Sequence, residues 1–184
     1  MSAPPHITET ELVRRVWAEL QRATADRHHD WRTPVLATVD PQGAPQARTV
    51  VLRSADAGSG QLVFFTDSRS PKVAELQANP AAALVFWSRR LQWQLRVGVR
   101  AVVQTEGPQV DAAWARVGQS AAAGDYLSAQ APGSVVDAAT TSGTAQHHFA
   151  VVTAQVEHWD WLELSRDGHR RARLVDRGVE WLVP

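Results

Sequence analysis

The chain has 184 residues, enough for one well-packed domain and few for two. Its 44% hydrophobic and 21% charged residues are typical of a globular protein and exclude a disordered or fibrous one. Nineteen basic residues balance nineteen acidic ones, so no general field attracts nucleic acid or an anionic membrane, and the lack of cysteine excludes disulfides, thiolate nucleophiles and Cys-ligated zinc.

The first predicted element is an amphipathic helix over residues 9–24. Thr8 and Glu11 form a capping-box pattern, and the apolar residues after them repeat at helical spacing. The N-terminal residues lack the basic and apolar regions of a signal peptide, and the longest apolar run, Ala81 to Trp87, is too short to cross a membrane. These features predict a soluble cytoplasmic protein with no membrane partner.

After Trp31 the pattern becomes strand-like, with helical segments between the strands. Nine strands are predicted, over residues 34–40, 46–54, 62–66, 82–88, 91–105, 149–156, 159–165, 170–176 and 179–183. Helical segments are predicted over residues 71–79, 108–117 and 125–130, and a connection poor in large apolar residues over 135–146. Antiparallel hairpins dominate this order, which predicts a mainly β fold with helices, an α+β antiparallel β-barrel.

Glycines mark the predicted bends and turns. Gly98 interrupts a long strand and predicts a bulge or a bend, residues 55–60 form a loop, and Arg177-Gly178 is a turn between the last two strands. Trp17, Trp87 and Trp181 fall in regular elements and are predicted to be core residues.

The helix predicted from Pro71 creates a candidate anion site. Ser70 suits the N-cap and Pro71 the first helical position, so free N–H groups point to the residues before Ser70. Arg69 and Lys72 add two positive charges there, and Lys72 is the one lysine in the chain. Arg48, on a neighbouring strand, brings a guanidinium to the same region if the strands pair, and a phosphorylated ligand would suit the site.

An ordinary structural role for these residues stays open at this point. Arginines at strand ends and Ser-Pro at a helix start occur in many proteins that bind no anion. The adjacent histidines His147 and His148 lack a third ligand at suitable spacing, so no metal site is predicted. The arginines after residue 165 lack interleaved aromatic residues, so no nucleic-acid partner is predicted.

Six motifs follow one another along the chain: Arg48-Thr49-Val50-Val51-Leu52-Arg53, Phe65-Thr66 with Ser70 and Lys72, Gln94, Ser128-Ala129-Gln130-Ala131, Glu157-His158-Trp159 and His169-Arg170-Arg171. In type and order they resemble the motifs of the pyridoxamine 5'-phosphate oxidase-like family of FMN-binding split barrels. The resemblance extends from about Trp31 to Pro184. It implies an antiparallel split β-barrel in one domain of residues 1–184. Within it, residues 1–30 form an N-terminal helix, 31–107 the barrel strands with the flavin site, 108–147 a connection and 148–184 the final strands.

The resemblance also implies a homodimer that binds FMN between its subunits. The residues expected to hold the FMN phosphate are Arg48, Thr66, Ser70 and Lys72, with Arg69 substituting for a family arginine replaced by Pro71. The residues expected beside the flavin are Thr49, Val50, Val51, Arg53, Phe65 and Gln94, with Gln130, Trp159 and Arg171 partly from the other subunit. Trp93, next to Gln94, is expected at the ring or at the subunit interface.

Departures from the family pattern concern the substrate phosphate. Arg53 stands where the oxidase has lysine, Trp114 lies near its tyrosine, and Gly118 and Asp167 replace two arginines. Tryptophan has no hydroxyl and aspartate repels phosphate, so this subsite is expected to be lost. Trp114 and His169 remain the candidate residues on the substrate side, and no catalytic residue is predicted.

Three functions fit this pattern. The first is an FMN-dependent oxidoreductase that acts on a small molecule other than pyridoxamine 5'-phosphate. The second is a flavin-binding carrier or sensor without turnover. The third is a split barrel that binds heme or a deazaflavin instead, for which His169 would be the candidate heme ligand.

Overall fold

A computed structural model describes residues 7–136, 146–175 and 178–184. The strands within these ranges are β1 (Val35–Val39), β2 (Pro45–Thr49), β3 (Leu52–Asp56), β4 (Gln61–Asp67), β5 (Ala81–Ser88), β6 (Trp93–Gln104), β7 (Phe149–Glu163), β8 (Arg170–Val175) and β9 (Gly178–Leu182). The helices are α1 (Glu9–Ala25), α2 (Pro71–Ala78) and α3 (Pro108–Val117), with short 3-10 segments at Asp30–Arg32 and Ala121–Tyr126.

Helix α1 begins and packs as its sequence pattern predicts. The Thr8 hydroxyl accepts a hydrogen bond from the Glu11 backbone N–H at 3.2 Å, which caps the first turn. Leu12, Val16 and Leu20 then form a buried stripe. Among the described helices, none is both long and apolar enough to span a membrane.

The strands form one antiparallel sheet that does not close. Its order is β2-β1-β5-β6-β7-β4-β3, and β8 joins β7 and carries β9. The 15-residue strand β7 connects two halves of the sheet, because its first part lies between β6 and β4 and its last part between β6 and β8. The β6–β7 register shifts beside Gly98, but the extra residue of this bulge is Glu157 on β7 and not a residue of β6. The prediction of a mainly β, antiparallel fold with helices is confirmed.

Three predicted boundaries are wrong. Residues 46–54 form two strands, because β2 pairs with β1 while β3 pairs with β4. Residues 149–165 form one strand instead of two. The short helical segment lies at Ala121–Tyr126, before the predicted 125–130. The predicted turn at Arg177 and residues 137–145 of the predicted connection lie outside the described residues.

Several tryptophans are not placed as predicted: two expected in the core are exposed, and one expected at a ring or an interface is buried. Trp87 and Trp181 are 43% and 46% exposed. Strand alternation turns Trp87 outward from β5, whereas Trp181 points to the same side as the buried Trp161 but lies on β9, which pairs with β8. Trp93, expected at a ring or an interface, is buried against Trp31 and Trp161, and its indole N–H donates to Glu163 at 2.9 Å. The main core therefore lies on the inner side of β5, β6 and β7.

Candidate functional site

Lys72 and two hydroxyl groups form a compact polar cluster at the start of α2. The Lys72 Nζ donates to Thr66 Oγ1 at 3.0 Å and to Ser70 Oγ at 3.1 Å. Ser70 occupies the N-cap position, but its hydroxyl does not cap the helix and instead donates to the Asp67 carbonyl at 2.8 Å. Both hydroxyls are therefore directed toward the lysine, in a position to share an anionic ligand with it.

Arg48 reaches the same helix from β2. Its Nη2 forms an ion pair with Glu75 Oε2 at 2.8 Å, and its Nη1 contacts the Thr38 hydroxyl. The Thr38 hydroxyl also donates to Glu75 at 2.5 Å. Since Glu75 is buried on the inner side of α2, this network fixes the position of the guanidinium.

The two cations lie close enough to influence each other. Burial lowers the pKa of Lys72, and the positive charge of Arg48 lowers it further, while Glu75 and Asp67 oppose the shift. A bound anion would stabilise both cations and would raise the pKa of Lys72 again. The cluster of Arg48, Thr66, Ser70 and Lys72 is called the α2 cluster below, and its residue types fit a phosphate group.

Arg69 makes a different set of contacts. Its guanidinium bonds to both carboxylate oxygens of Asp67, at 3.0 and 2.7 Å, and this hydrogen bonding raises the pKa of Arg69. It also donates to the carbonyls of Ser128, Ala129 and Gln130 at 2.9 to 3.4 Å. Arg69 thus connects the turn before α2 to the segment that carries Gln130. Its role as a phosphate ligand stays a prediction.

The chain crosses between two parts of the sheet at Val50 and Val51. The Val50 N–H donates to the Pro34 carbonyl at 3.0 Å, and the side chain of Val50 is buried while Thr49 is exposed and Val51 is half-buried. This crossing leaves the regular ladder, because β2 ends at Thr49 and β3 begins at Leu52.

Arg53 follows the crossing and lies against Phe65. Its guanidinium carbon is 5.6 Å from the centroid of the Phe65 ring, a cation–π contact. Its Nε is buried and has no hydrogen-bond partner among the described residues. Burial raises the pKa of Tyr126, and the charge and hydrogen bond of Arg53 partly offset that rise. An unpaired buried N–H is costly, so a ligand with an acceptor atom would fit here.

Gln94 and Arg171 belong to a second group on the outer face of the sheet. Strand register aligns Trp87 with Gln94, Gln94 with Leu162, and Leu162 with Arg171. Directly opposed residues of antiparallel strands point to the same side. These four side chains therefore form one row, called the outer row below.

Asp160 anchors the strands beside the outer row. Its carboxylate accepts from Arg171 and from Arg96, each at 2.7 Å. Burial raises the pKa of Asp160, but the hydrogen bonds from Arg171 and Arg96 outweigh burial, and the net pKa lies below its usual 3.8. The network joins β6, β7 and β8.

A single chain does not bring the α2 cluster and the outer row together. Arg48 is opposite Leu36, on the inner face, whereas Gln94 shares the outer face with Trp87. Three strand spacings separate β2 from β6, or about 14 Å. The two groups therefore lie on opposite faces of the same sheet.

The other predicted site residues are dispersed. Trp159 is buried on the inner face beside Leu12 and Val13 of α1. Trp114 stacks on His147, with ring centroids 4.3 Å apart. His169 is exposed after β7, and its Nδ1 accepts the Ser165 N–H at 3.1 Å.

Sequence reasoning missed the carboxylates that hold the basic residues. Glu75 pairs with Arg48, and Asp67 pairs with Arg69. Glu75 could have been noticed, because it lies between the apolar residues Val73 and Leu76 on the buried side of a short helix. A carboxylate in that place indicates a buried basic partner.

Comparisons with known proteins agree with this architecture. Residues 14–105 match the family described as pyridoxamine 5'-phosphate oxidase, FMN-binding domain. The pyridoxine/pyridoxamine 5'-phosphate oxidase of Anaeromyxobacter dehalogenans is 34% identical, over 100% of this chain and 98% of that protein. The protein of the same name from Azorhizobium caulinodans is 33% identical, over 90% of this chain and 81% of that protein.

Solved structures share the fold. A pyridoxamine 5'-phosphate oxidase-related, FMN-binding protein from Nostoc punctiforme superposes with a TM-score of 0.74 at 24% identity, over 100% of both chains. PhzG from Burkholderia lata, in complex with tetrahydrophenazine-1-carboxylic acid, superposes with a TM-score of 0.72 at 22% identity, over 100% of this chain and 98% of that one. These likenesses confirm the predicted split barrel. By its matching family model and full-length relatives, the chain belongs to the pyridoxamine 5'-phosphate oxidase FMN-binding family.

Proposed function

We propose that this protein binds FMN and that the α2 cluster holds the FMN phosphate. The observation that carries the proposal is the Lys72 ammonium, bonded to two inward-directed hydroxyls and close to the ion-paired Arg48. Two cations and two hydroxyl donors match the charge and the acceptor oxygens of a phosphate monoester. Membership of an FMN-binding family makes FMN the phosphate ester to test first.

The crossing at Val50 and Val51 would receive the flavin ring. Thr49 and Val51 offer backbone groups and apolar surface there, Arg53 offers a buried N–H that lacks a partner, and Phe65 offers a flat face. When bound, FMN supplies hydride chemistry that no side chain of this chain provides. The protein's own residues would anchor the phosphate, donate hydrogen bonds and exclude water.

A homodimer would complete this site. The outer row contains Gln94 and Arg171, two residues expected at the flavin, yet it lies on the face opposite the α2 cluster. The same face exposes Val35, Val39 and Trp87 on the adjacent strands β1 and β5. Because contiguous exposed apolar side chains favour association, a second copy on this face is the proposed partner.

The proposed activity is oxidation or reduction of a small molecule other than pyridoxamine 5'-phosphate. The departures at Trp114, Gly118 and Asp167 remove donors that a second phosphate would need. The relatives named pyridoxine/pyridoxamine 5'-phosphate oxidase favour the opposite answer, so this substrate is the first to assay. Turnover comparable with a dedicated oxidase would contradict the proposal.

The cofactor is tested by purifying the protein without added flavin and recording its visible spectrum. We expect the paired bands of an oxidised flavin, with FMN released on heating. A single sharp Soret band would replace FMN with heme and would direct attention to His169. A colourless protein that does not bind added FMN would contradict the proposal. Reduction of the bound flavin by a nicotinamide donor would favour an enzyme over a carrier or sensor.

A further inference from the structure

The carboxylate of Glu75 lies next to the α2 cluster. Glu75 is in the second turn of α2, where the neighbouring Val73 and Leu76 are also buried. Glu75 is 5% exposed, so water screens its charge poorly. The proposed phosphate site therefore has a buried negative charge beside its positive ones.

Two hydrogen bonds of Glu75 end on the same oxygen. Its Oε2 accepts from Arg48 Nη2 at 2.8 Å and from the Thr38 hydroxyl at 2.5 Å. The buried Thr38 hydroxyl in turn accepts a hydrogen bond from Arg48 Nη1. The Nη1–Nη2 edge of the guanidinium is thus already occupied, and a phosphate could use this edge only by displacing Glu75.

The charges in and around the α2 cluster nearly cancel. The set consists of three cations and two carboxylates, which leaves a single positive charge. They are Arg48, Arg69 and Lys72, and Asp67 and Glu75. A phosphate monoester carries about two negative charges at neutral pH, which is more than this surplus. Glu75 is paired with Arg48, itself a proposed phosphate ligand, so its charge bears directly on the phosphate.

Glu75 also acts on Lys72. Burial and Arg48 lower the pKa of Lys72, and the negative charge of Glu75 partly offsets this shift. In the ligand-free protein Glu75 therefore stabilises both cations of the cluster, which is the effect that a bound phosphate would have. A carboxylate in this position opposes the binding of a second anion.

We propose that Glu75 competes with the phosphate for Arg48 and Lys72 and thereby keeps FMN exchangeable. The protein would take up and release FMN as a ligand instead of holding it permanently. This inference rests on the proposed function, since it concerns the phosphate end of the same site. Removal of this one buried charge should therefore strengthen FMN binding while it weakens the fold.

Glu75→Gln tests the competition, because the amide keeps the shape of the side chain and an oxygen that can accept both hydrogen bonds. Without FMN, the thermal midpoint should fall, since Arg48 loses its ion-pair partner. FMN should bind at least about 10-fold more tightly, since the phosphate no longer meets a buried negative charge. Riboflavin, which has no phosphate, should bind equally to Glu75→Gln and to the unchanged protein. Fluorescence titrations with both flavins measure these affinities.

Glu19→Gln is the matched control. Glu19 is 9% exposed and is also ion-paired, with Arg22 and Arg90 at 2.8 and 2.9 Å, but within the described residues it makes no hydrogen bond to the α2 cluster. Its amide variant should lower the thermal midpoint without raising FMN affinity. A merely structural role for Glu75 would give this same pattern in Glu75→Gln and would overturn the inference.

A second measurement uses the unchanged protein and stays decisive if Glu75→Gln does not fold. Protein loaded with FMN is dialysed overnight against flavin-free buffer, and we expect most of the FMN to leave. Retention of nearly all the FMN would overturn this inference, as would equal or weaker FMN binding by Glu75→Gln, and both results leave the FMN proposal intact. Failure of both proteins to bind FMN would overturn both proposals. FMN binding by Glu75→Gln alone would support the competition and contradict FMN binding by the unchanged protein.

Discussion

The proposed role of Lys72 in FMN binding would come at the expense of stability. Burial and the neighbouring Arg48 lower its pKa, so the charged lysine costs stability at neutral pH. This cost lessens as the pH rises through the lowered pKa toward 10.5, since deprotonation removes the buried charge. Retention of a charged amine here is consistent with selection for an anion.

Lys72→Met should therefore stabilise the FMN-free protein while weakening FMN binding. The thermal midpoint without FMN should rise at neutral pH, because the burial penalty is gone and the Thr66 and Ser70 hydroxyls still bond to each other at 3.0 Å. FMN affinity should fall by about 1.5–3 kcal/mol, the value of a charge-assisted hydrogen bond.

Thermal melts of the FMN-free protein and flavin fluorescence titrations measure these two effects. Arg89→Met, which removes an exposed positive charge outside the site, is the matched control and should change neither. Unchanged FMN affinity in Lys72→Met would exclude Lys72 as a phosphate ligand.

Arg69 is a second single residue with a large expected effect, and this effect is on stability. Arg69→Gln leaves the Asp67 carboxylate, whose side chain is 4% exposed, without its bidentate partner. We expect a loss of about 2 kcal/mol in the free energy of unfolding and faster hydrogen exchange of residues 128–130. Urea unfolding and exchange mass spectrometry measure these effects. Arg22→Gln, at a surface ion pair, should cost under about 1 kcal/mol. Similar losses of unfolding free energy in Arg69→Gln and Arg22→Gln would contradict a special stabilising role for the Arg69–Asp67 ion pair.

At the scale of single residues, the sequence predicted that the residues of the α2 cluster come together but not how their groups are oriented. Ser70 and Pro71 mark a helix start by general capping preferences, and α2 begins at Pro71. The direction of the Ser70 hydroxyl depends on Lys72 and on the Asp67 carbonyl, which only the folded turn brings near. Likewise, Arg69 finds partners about 60 positions away, which no local pattern encodes.

The strands and helices show the same limit, because partners that are distant in the sequence are not encoded by a local pattern. The run Thr49-Val50-Val51-Leu52 has no turn residue and has high β propensity, so its sequence predicts one strand. It breaks because its two ends pair with different partners, β1 and β4. Helix α1 was predictable, since local capping and spacing determine it. Gly98 marked the place where the register shifts, although the extra residue, Glu157, lies on β7.

Asp160 stabilises the junction of β6, β7 and β8 in a pH-dependent way. Because its folded-state pKa lies below 3.8, its contribution is fully present above that value and is lost as the pH falls through the lowered pKa. Asp160→Asn should destabilise the protein by about 1–3 kcal/mol at neutral pH, and the difference should shrink in acid.

Urea midpoints of the unchanged protein and of Asp160→Asn, taken across this pH range at one protein concentration, test the expectation. Asp56→Asn is the control for a carboxylate with a lowered pKa on the surface, since its partners are confined to its own turn. The proposed role of the Asp160 charge would be contradicted if the difference in urea midpoint between Asp160→Asn and the unchanged protein stayed constant with pH.

At the scale of the whole molecule, the proposed homodimer would explain why the predicted site residues are divided between two faces of the sheet. The α2 cluster lies on the inner side of β1 and β2, and the outer row lies on the reverse of the same sheet. No rotation of a side chain can bridge two faces of a sheet. In the proposed two-fold arrangement of identical chains, each outer row would meet the other chain's α2 cluster.

Trp87→Glu tests this arrangement. Trp87 is 43% exposed at one end of the outer row, so a charge there should be tolerated by the single chain but not inside an apolar interface. We expect sedimentation to report a dimer for the unchanged protein and a monomer for the variant, with FMN affinity at least about 10-fold weaker. Trp181→Glu, equally exposed on β9, should remain dimeric. A Trp87→Glu monomer that binds FMN normally would mean that the α2 cluster and the crossing at Val50 and Val51 suffice within one chain.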